Sequence, residues 1–214
     1  MSKAITLHYE NYLKRFEKIV FSQVAIKLAA YKGFQETFQS DFERAAKSFP
    51  LLYFMIEALQ VDCVMTISKL TEINRGDKTI QKFLNFVLAN ITTLQKKYEK
   101  LTKEQVEKDL ASLETVQSQM SRILTQRDKY YAHADNEYFL EPNKLLTDFP
   151  NTYDDLVDIT RVLQGIINDH RYFVKGSWIV CISDFAYMNT FKTMELLKEA
   201  SEEWYRKYRP NETF

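Results

Sequence analysis

At 214 residues, with 45% hydrophobic and 14% aromatic side chains, the chain can bury one sizeable core or a core with a helical appendage. Lys plus Arg and Asp plus Glu balance at 29 each, which excludes a bulk electrostatic pull on nucleic acid and leaves any RNA contact to a local basic patch. Four glycines and four prolines are too few punctuators for a many-stranded sheet, so composition points to long helices.

The spacing of Leu13, Phe16, Ile19, Val20, Val24 and Leu28 predicts a helix from about Ser2 to Tyr31, interrupted at Gly33. Phe34, Phe38 and Phe42 recur every four residues, as in a short amphipathic helix that packs its aromatics on a bundle. Pro50 suits a helix first turn, and Leu52, Met55, Leu59, Cys63, Ile67 and Leu70 follow on one face up to the Asn74-Arg75-Gly76-Asp77 break. A further helix is expected from about Lys78 to Glu99, with Ile80, Phe83, Leu84, Val87, Ile91, Leu94 and Tyr98 inward. Thr102 and Gln105 match a capping box that opens a helix running through Leu113 and Met120 to Arg127.

Asp135-Asn136-Glu137 and the prolines at 142 and 150 mark an irregular connection. Thr152 and Asp155 then cap a helix to about Val174, whose apolar face is Leu156, Ile159, Val162, Leu163, Ile166 and Ile167, with Gly165 suggesting close helix approach. Gly176 breaks the chain, and a last helix is expected from about Asp184 to Tyr208. The architecture this predicts is all-α: an antiparallel bundle of roughly five to seven helices centred on those around Leu59, Leu94 and Met120. It is read as one domain over residues 1–214, with residues 1–48 a helical extension packed on a 50–214 core.

Cys63 and Cys181 sit among aliphatic neighbours with no Cys-x-x-Cys pairing, so they read as buried thiols rather than a disulfide or zinc site. The amino terminus lacks a signal peptide's apolar region, and no apolar run approaches the roughly eighteen residues of a membrane span, so a cytoplasmic protein without membrane contact is expected. Gly-rich phosphate loops, His-Glu-x-x-His, Gly-x-Ser-x-Gly and calcium loops are missing from the sequence, so no cofactor and no metal is expected.

One stretch places a fixed cation, a carboxylate and a group titrating near neutral pH together: Gln126-Arg127-Asp128-Lys129-Tyr130-Tyr131-Ala132-His133-Ala134-Asp135. Arginine forks two donors onto phosphate oxygens and histidine exchanges protons near neutral pH, a pairing suited to phosphodiester chemistry without a metal. Leu113, Met120 and Arg127 are spaced by sevens on a stripe with Val106, Leu110 and Leu124, so Arg127 points where a core residue would and needs an anion, a cavity or a subunit interface. Six positions along an ideal helix leave Arg127 and His133 roughly 120° apart, so they converge only if the helix loosens or the arginine bends over. The bland alternative pairs Arg127 with Asp128, Asp135 or a distant acid and satisfies His133 with a carbonyl. His170, beside Asp169 and Arg171, reads as structural, and Tyr130 and Tyr131 either stack on an exposed base or fill the core.

The Arg-Asp-Lys-Tyr-Tyr-Ala-His run resembles the Arg, four to six residues, His motif of the HEPN superfamily (higher eukaryotes and prokaryotes nucleotide-binding), including the polar residue directly after the arginine. Its continuation Ala-His-Ala-Asp, and more weakly Ile67-Ser68-Lys69-Leu70-Thr71-Glu72, resemble the AbiU-type abortive-infection branch, with Lys69 standing where arginine is expected. The resemblance implies a metal-independent endoribonuclease, a toxin or phage-defence effector, acting as a homodimer with a composite active site and answering to an antitoxin or regulatory protein. It implies catalytic roles for Arg127, Asp128 and His133, beside which Lys129, Tyr130 and Tyr131 are the candidates for contacting an RNA substrate, and products ending in a 2′,3′-cyclic phosphate and a 5′-OH. The alternative is a non-catalytic HEPN-like helical protein that binds a partner or nucleotide.

Overall fold

The computed structural model describes residues 2–38, 50–72, 78–132, 141, 144, 147–148 and 153–208, without the side chains of residues 38, 50, 52, 53, 130–132, 201, 204 and 205. Among the described residues there is no strand. The helices are α1 (Ser2–Ile19), a π turn (Val20–Val24), α2 (Ala25–Phe38), α3 (Pro50–Thr71), α4 (Ile80–Ala89), α5 (Ile91–Gln95), α6 (Lys103–Glu114), α7 (Gln117–Gln126), a second π turn (Arg127–Ala132), α8 (Tyr153–Lys175) and α9 (Ser183–Tyr208). None of them is long and apolar enough to cross a membrane.

The chain divides into two compact units, residues 1–25 with 63–180, and residues 26–62 with 181–214. In the first, Tyr9 and Leu13 of α1, Ile67 of α3, Phe83 and Leu84 of α4, Ile123 of α7 and Ile159, Leu163 and Ile167 of α8 are almost wholly buried. Each comes from the apolar stripe of its helix, so burial follows the helical period and supplies the main drive for folding. In the second unit, Gly33 of α2 meets α9: a β-carbon there would lie 3.0 Å from Thr190 Cβ and 3.1 Å from the Tyr187 carbonyl oxygen.

Several local expectations are corrected. Gly33 does not end the first helix; the chain stays helical to Phe38, because the glycine serves close approach to α9 and not a break. Phe34 is buried within that helix, and Phe42 lies outside the described residues. Gly165, conversely, faces open space rather than a neighbouring helix. The 78–99 helix is divided at Asn90, whose φ of −118° and ψ of 14° leave the α region while its side-chain amide donates to the Phe86 carbonyl at 2.8 Å. The helix leading to Arg127 is likewise divided at Val116, just after the Thr115 hydroxyl donates to the Ser112 carbonyl at 2.7 Å. Leu59 is only half-buried and Cys181 is half-exposed, whereas Cys63 is buried.

Other boundaries fall where local chemistry requires. Thr102 Oγ1 accepts from the Gln105 N–H at 3.2 Å, and Thr79 caps α4 by accepting from Lys82 N–H at 3.3 Å. Gly176 takes a φ of 66° and its N–H returns to the Tyr172 carbonyl at 2.8 Å, closing α8 with the left-handed residue that glycine adopts without a β-carbon clash. The following segment is pinned by Asn168, which accepts from Ile179 N–H at 2.8 Å and donates to its carbonyl at 3.2 Å.

Candidate functional site

Arg127 stands where the helical winding changes. Its backbone N–H is shared between the carbonyls of Ile123 and Leu124, and from Arg127 to Ala132 the chain is π-helical. Such wide turns are rare and concentrate at functional sites. Leu113, Met120 and Arg127 are all buried, and Arg127 is 7% exposed. Leu110 and Leu124 of the expected stripe are only half-buried, with Ile123 and Gln126 buried in α7 instead, but Arg127 does occupy a core-facing position.

Its charge is met by two carboxylates. Glu72, directly after α3, receives Nη1 at 2.7 Å on Oε2 and Nη2 at 3.2 Å on Oε1. Asp128 Oδ1 receives Nε at 2.8 Å and Nη2 at 2.6 Å. Both paired edges of the guanidinium are thus occupied by oxygens in the fork geometry that charge-assisted hydrogen bonding favours. The bonds to Glu72 push Arg127 further above its ordinary pKa, with Asp128 adding to the shift against the opposing effect of burial.

The remaining candidates are placed unevenly. Lys129 lies half-exposed on the π turn. Tyr130 and Tyr131 have their backbone on that turn, and their side chains are outside the described set; His133 and Asp135 are outside it altogether. Among the described residues no cluster of three or more His, Cys, Asp and Glu side chains could hold a metal ion.

Glu72 is not singled out by the motif, although it closes the Ile67–Glu72 segment that resembles the AbiU-type branch. The signal was indirect: a buried arginine demands an anion, but with 29 acidic residues in the chain only the tertiary contact says which.

His170 occupies a different setting, 0% exposed in the core. The Tyr9 hydroxyl lies 2.9 Å from its Nδ1, and Asp109 Oδ2 lies 3.2 Å from its Nε2 without the alignment of a hydrogen bond. Phe83 packs edge-on at 5.0 Å between centroids, and Gln105 bridges Asp109 and Asp169 by donating at 3.0 and 3.1 Å. Burial pushes the Tyr9 hydroxyl far above the ordinary phenol range, so it remains a hydroxyl able to donate. His170 is therefore a structural core histidine.

Fold and site together define an all-helical protein in which Arg127, Asp128 and Lys129 of the motif sit on a π turn at a helix end. The family model HEPN_AbiU2, described as AbiU2, matches residues 7–204. The chain belongs to this AbiU-type branch of the HEPN superfamily, an abortive-infection family. No curated protein and no solved structure matches it.

Proposed function

We propose that the protein is a metal-independent endoribonuclease, a toxin or phage-defence effector, and that Arg127, Asp128 and His133 carry the reaction. The observation that carries this reading is Arg127 on a π turn with Asp128 bound to it, opening the Arg-to-His motif in a chain of the HEPN AbiU2 family. In the reaction, His133 takes the proton of a ribose 2′-OH, the 2′ oxygen bonds to phosphorus, and the bond to the 5′ oxygen breaks. The leaving oxygen receives a proton, giving a 2′,3′-cyclic phosphate and a 5′-OH, while Arg127 offsets the charge growing on the phosphate. Asp128 orients the guanidinium; Lys129, Tyr130 and Tyr131 hold the RNA strand.

One histidine does not easily both take the 2′-OH proton and protonate the 5′ oxygen on the opposite side of the phosphorus. A homodimer that brings His133 and Arg127 of two copies to a shared cleft supplies the second group. Pure protein incubated with total RNA in EDTA, beside a His133→Ala control, tests the activity. Cleavage lost in the control supports it; equal RNA decay in both samples, or cleavage that needs a divalent ion, refutes it.

A second reading is favoured by one observation, the occupation of both guanidinium edges by Glu72 and Asp128. It makes the chain a non-catalytic helical scaffold for a partner or nucleotide, with Arg127 a structural cation. The same RNA experiment separates the two.

A further inference from the structure

We infer that Glu72 is a resident stand-in for phosphate on Arg127, and that an RNA phosphate takes the guanidinium fork only when Glu72 leaves it. The inference rests on the reading of Arg127 as a phosphate-binding group. A guanidinium offers two edges with paired, parallel N–H donors, Nη1 with Nη2 and Nε with Nη2, and either accepts a carboxylate or a phosphate in the same two-oxygen geometry. Glu72 fills the first edge with both carboxylate oxygens, at 2.7 and 3.2 Å. Asp128 fills the second with one oxygen, at 2.6 and 2.8 Å.

Two carboxylates face one guanidinium, so a phosphodiester arriving at the closed fork finds both edges taken by groups of its own charge sign. One acid has to move. Asp128 is the next residue along the chain and travels with Arg127, whereas Glu72 lies 55 positions upstream on another element. Its backbone N–H bonds to the Ser68 carbonyl at 2.9 Å, so Glu72 is held at the last turn of α3 and a change at that helix end would carry the carboxylate away. With Glu72 withdrawn, the remaining pair is neutral and the end-on edge is free to take phosphate. Glu72 is thus a positioning residue that gates Arg127.

The test is calorimetric titration of inorganic phosphate into the full chain, as wild type, Glu72→Gln, Glu72→Asp and the double variant Glu72→Gln/Arg127→Ala, each checked for helical circular dichroism. Glutamine removes the charge and one strong acceptor; aspartate keeps the charge but shortens the reach. Expected is phosphate affinity roughly tenfold higher in Glu72→Gln than in wild type, a smaller gain in Glu72→Asp, and no gain in the double variant. A parallel fall in KM for RNA is expected in Glu72→Gln, a split that loss of structural support would not produce. The inference is overturned if Glu72→Gln binds phosphate no better than wild type, if the gain survives loss of Arg127, or if neither single variant folds, which would make Glu72 a structural anchor. Should no form of the protein cleave RNA, the ribonuclease reading fails, while the phosphate titration still decides the role of Glu72.

Discussion

The Tyr9 hydroxyl lies 2.9 Å from His170 Nδ1, joining α1 to α8 inside the core of the first unit, where both residues are 0% exposed. In the tautomer with its proton on Nε2 the histidine accepts from the hydroxyl at Nδ1, and in the other its Nδ1–H donates to the phenol oxygen; either way a polar connection crosses what is otherwise an aromatic and aliphatic interior. Phe83 stacks parallel to Tyr9 at 5.7 Å between centroids and meets His170 edge-on, so ring packing fixes the two partners in place.

Tyr9→Phe keeps that packing and removes only the hydroxyl, leaving a buried ring nitrogen unsatisfied. The expected cost is about 1–3 kcal/mol of folding stability with no change in RNA cleavage. Urea unfolding monitored by circular dichroism measures the first, and a cleavage assay the second. A loss of cleavage at unchanged stability would mean that the Tyr9–His170 pair serves the reaction.

Arg127→Ala removes the cation between Glu72 and Asp128. The arginine side chain is 9% exposed while those of Glu72 and Asp128 are 17% and 42% exposed, so the cluster lies between a buried pair and a surface pair. A destabilisation of about 2 kcal/mol is expected, with a folded protein that no longer cleaves RNA. Thermal melting and the cleavage assay together check this. A variant that melts lower yet cleaves at the wild-type rate would make Arg127 structural only.

Gly33 and Gly165 should respond to alanine in opposite directions. At Gly33 the new methyl meets Thr190 and the α9 backbone at 3.0–3.2 Å, and neither is the far end of a flexible side chain, so a loss of about 1–3 kcal/mol is expected. At Gly165 the methyl meets nothing within 4 Å on an exposed helix position, so a gain approaching about 1 kcal/mol is expected from helix propensity. Equal shifts in melting temperature for the two variants would contradict the assignment of their surroundings.

Burial, and then the charge of Asp109, push the Asp169 carboxyl above the usual carboxylate range. A raised acid costs stability where it is ionised, above its folded pKa, and costs nothing below its unfolded pKa, where both states are protonated. Asp169→Asn is therefore expected to raise the melting temperature at pH 7, modestly because solvent screens the site, with the gain fading as pH falls through the ordinary aspartate range. Melting curves across pH check the sign; a gain that grows toward acid pH would contradict it.

The proposed dimer should strengthen when phosphate takes the guanidinium edge that Glu72 vacates and bridges the two copies of Arg127 brought to one cleft. Sedimentation across a concentration series, with and without phosphate, is expected to show association that phosphate promotes. A cleaving species that stays monomeric throughout would sink the composite site.

Helical class, the capped start at Thr102, the stop at Gly176 and the apolar faces of α4 and α8 follow from residue spacing and end-group chemistry, which are local properties. So does the anomaly of Arg127, since a cation on an apolar stripe is visible before any contact is known. The sequence alone also carries the Arg-to-His motif that the AbiU2 family membership accompanies. What spacing does not carry is which distant groups meet. A glycine reads the same whether it admits a neighbouring backbone, as Gly33 does, or faces open space, as Gly165 does. Asn90 and Val116 interrupt helices through backbone and side-chain bonding that an apolar pattern continues straight across. The choice of Glu72 for Arg127, and of Tyr9 and Asp109 for His170, belongs to tertiary structure for the same reason: burial makes a partner for a polar group obligatory, and only the packing of helices distant in sequence determines which residue arrives.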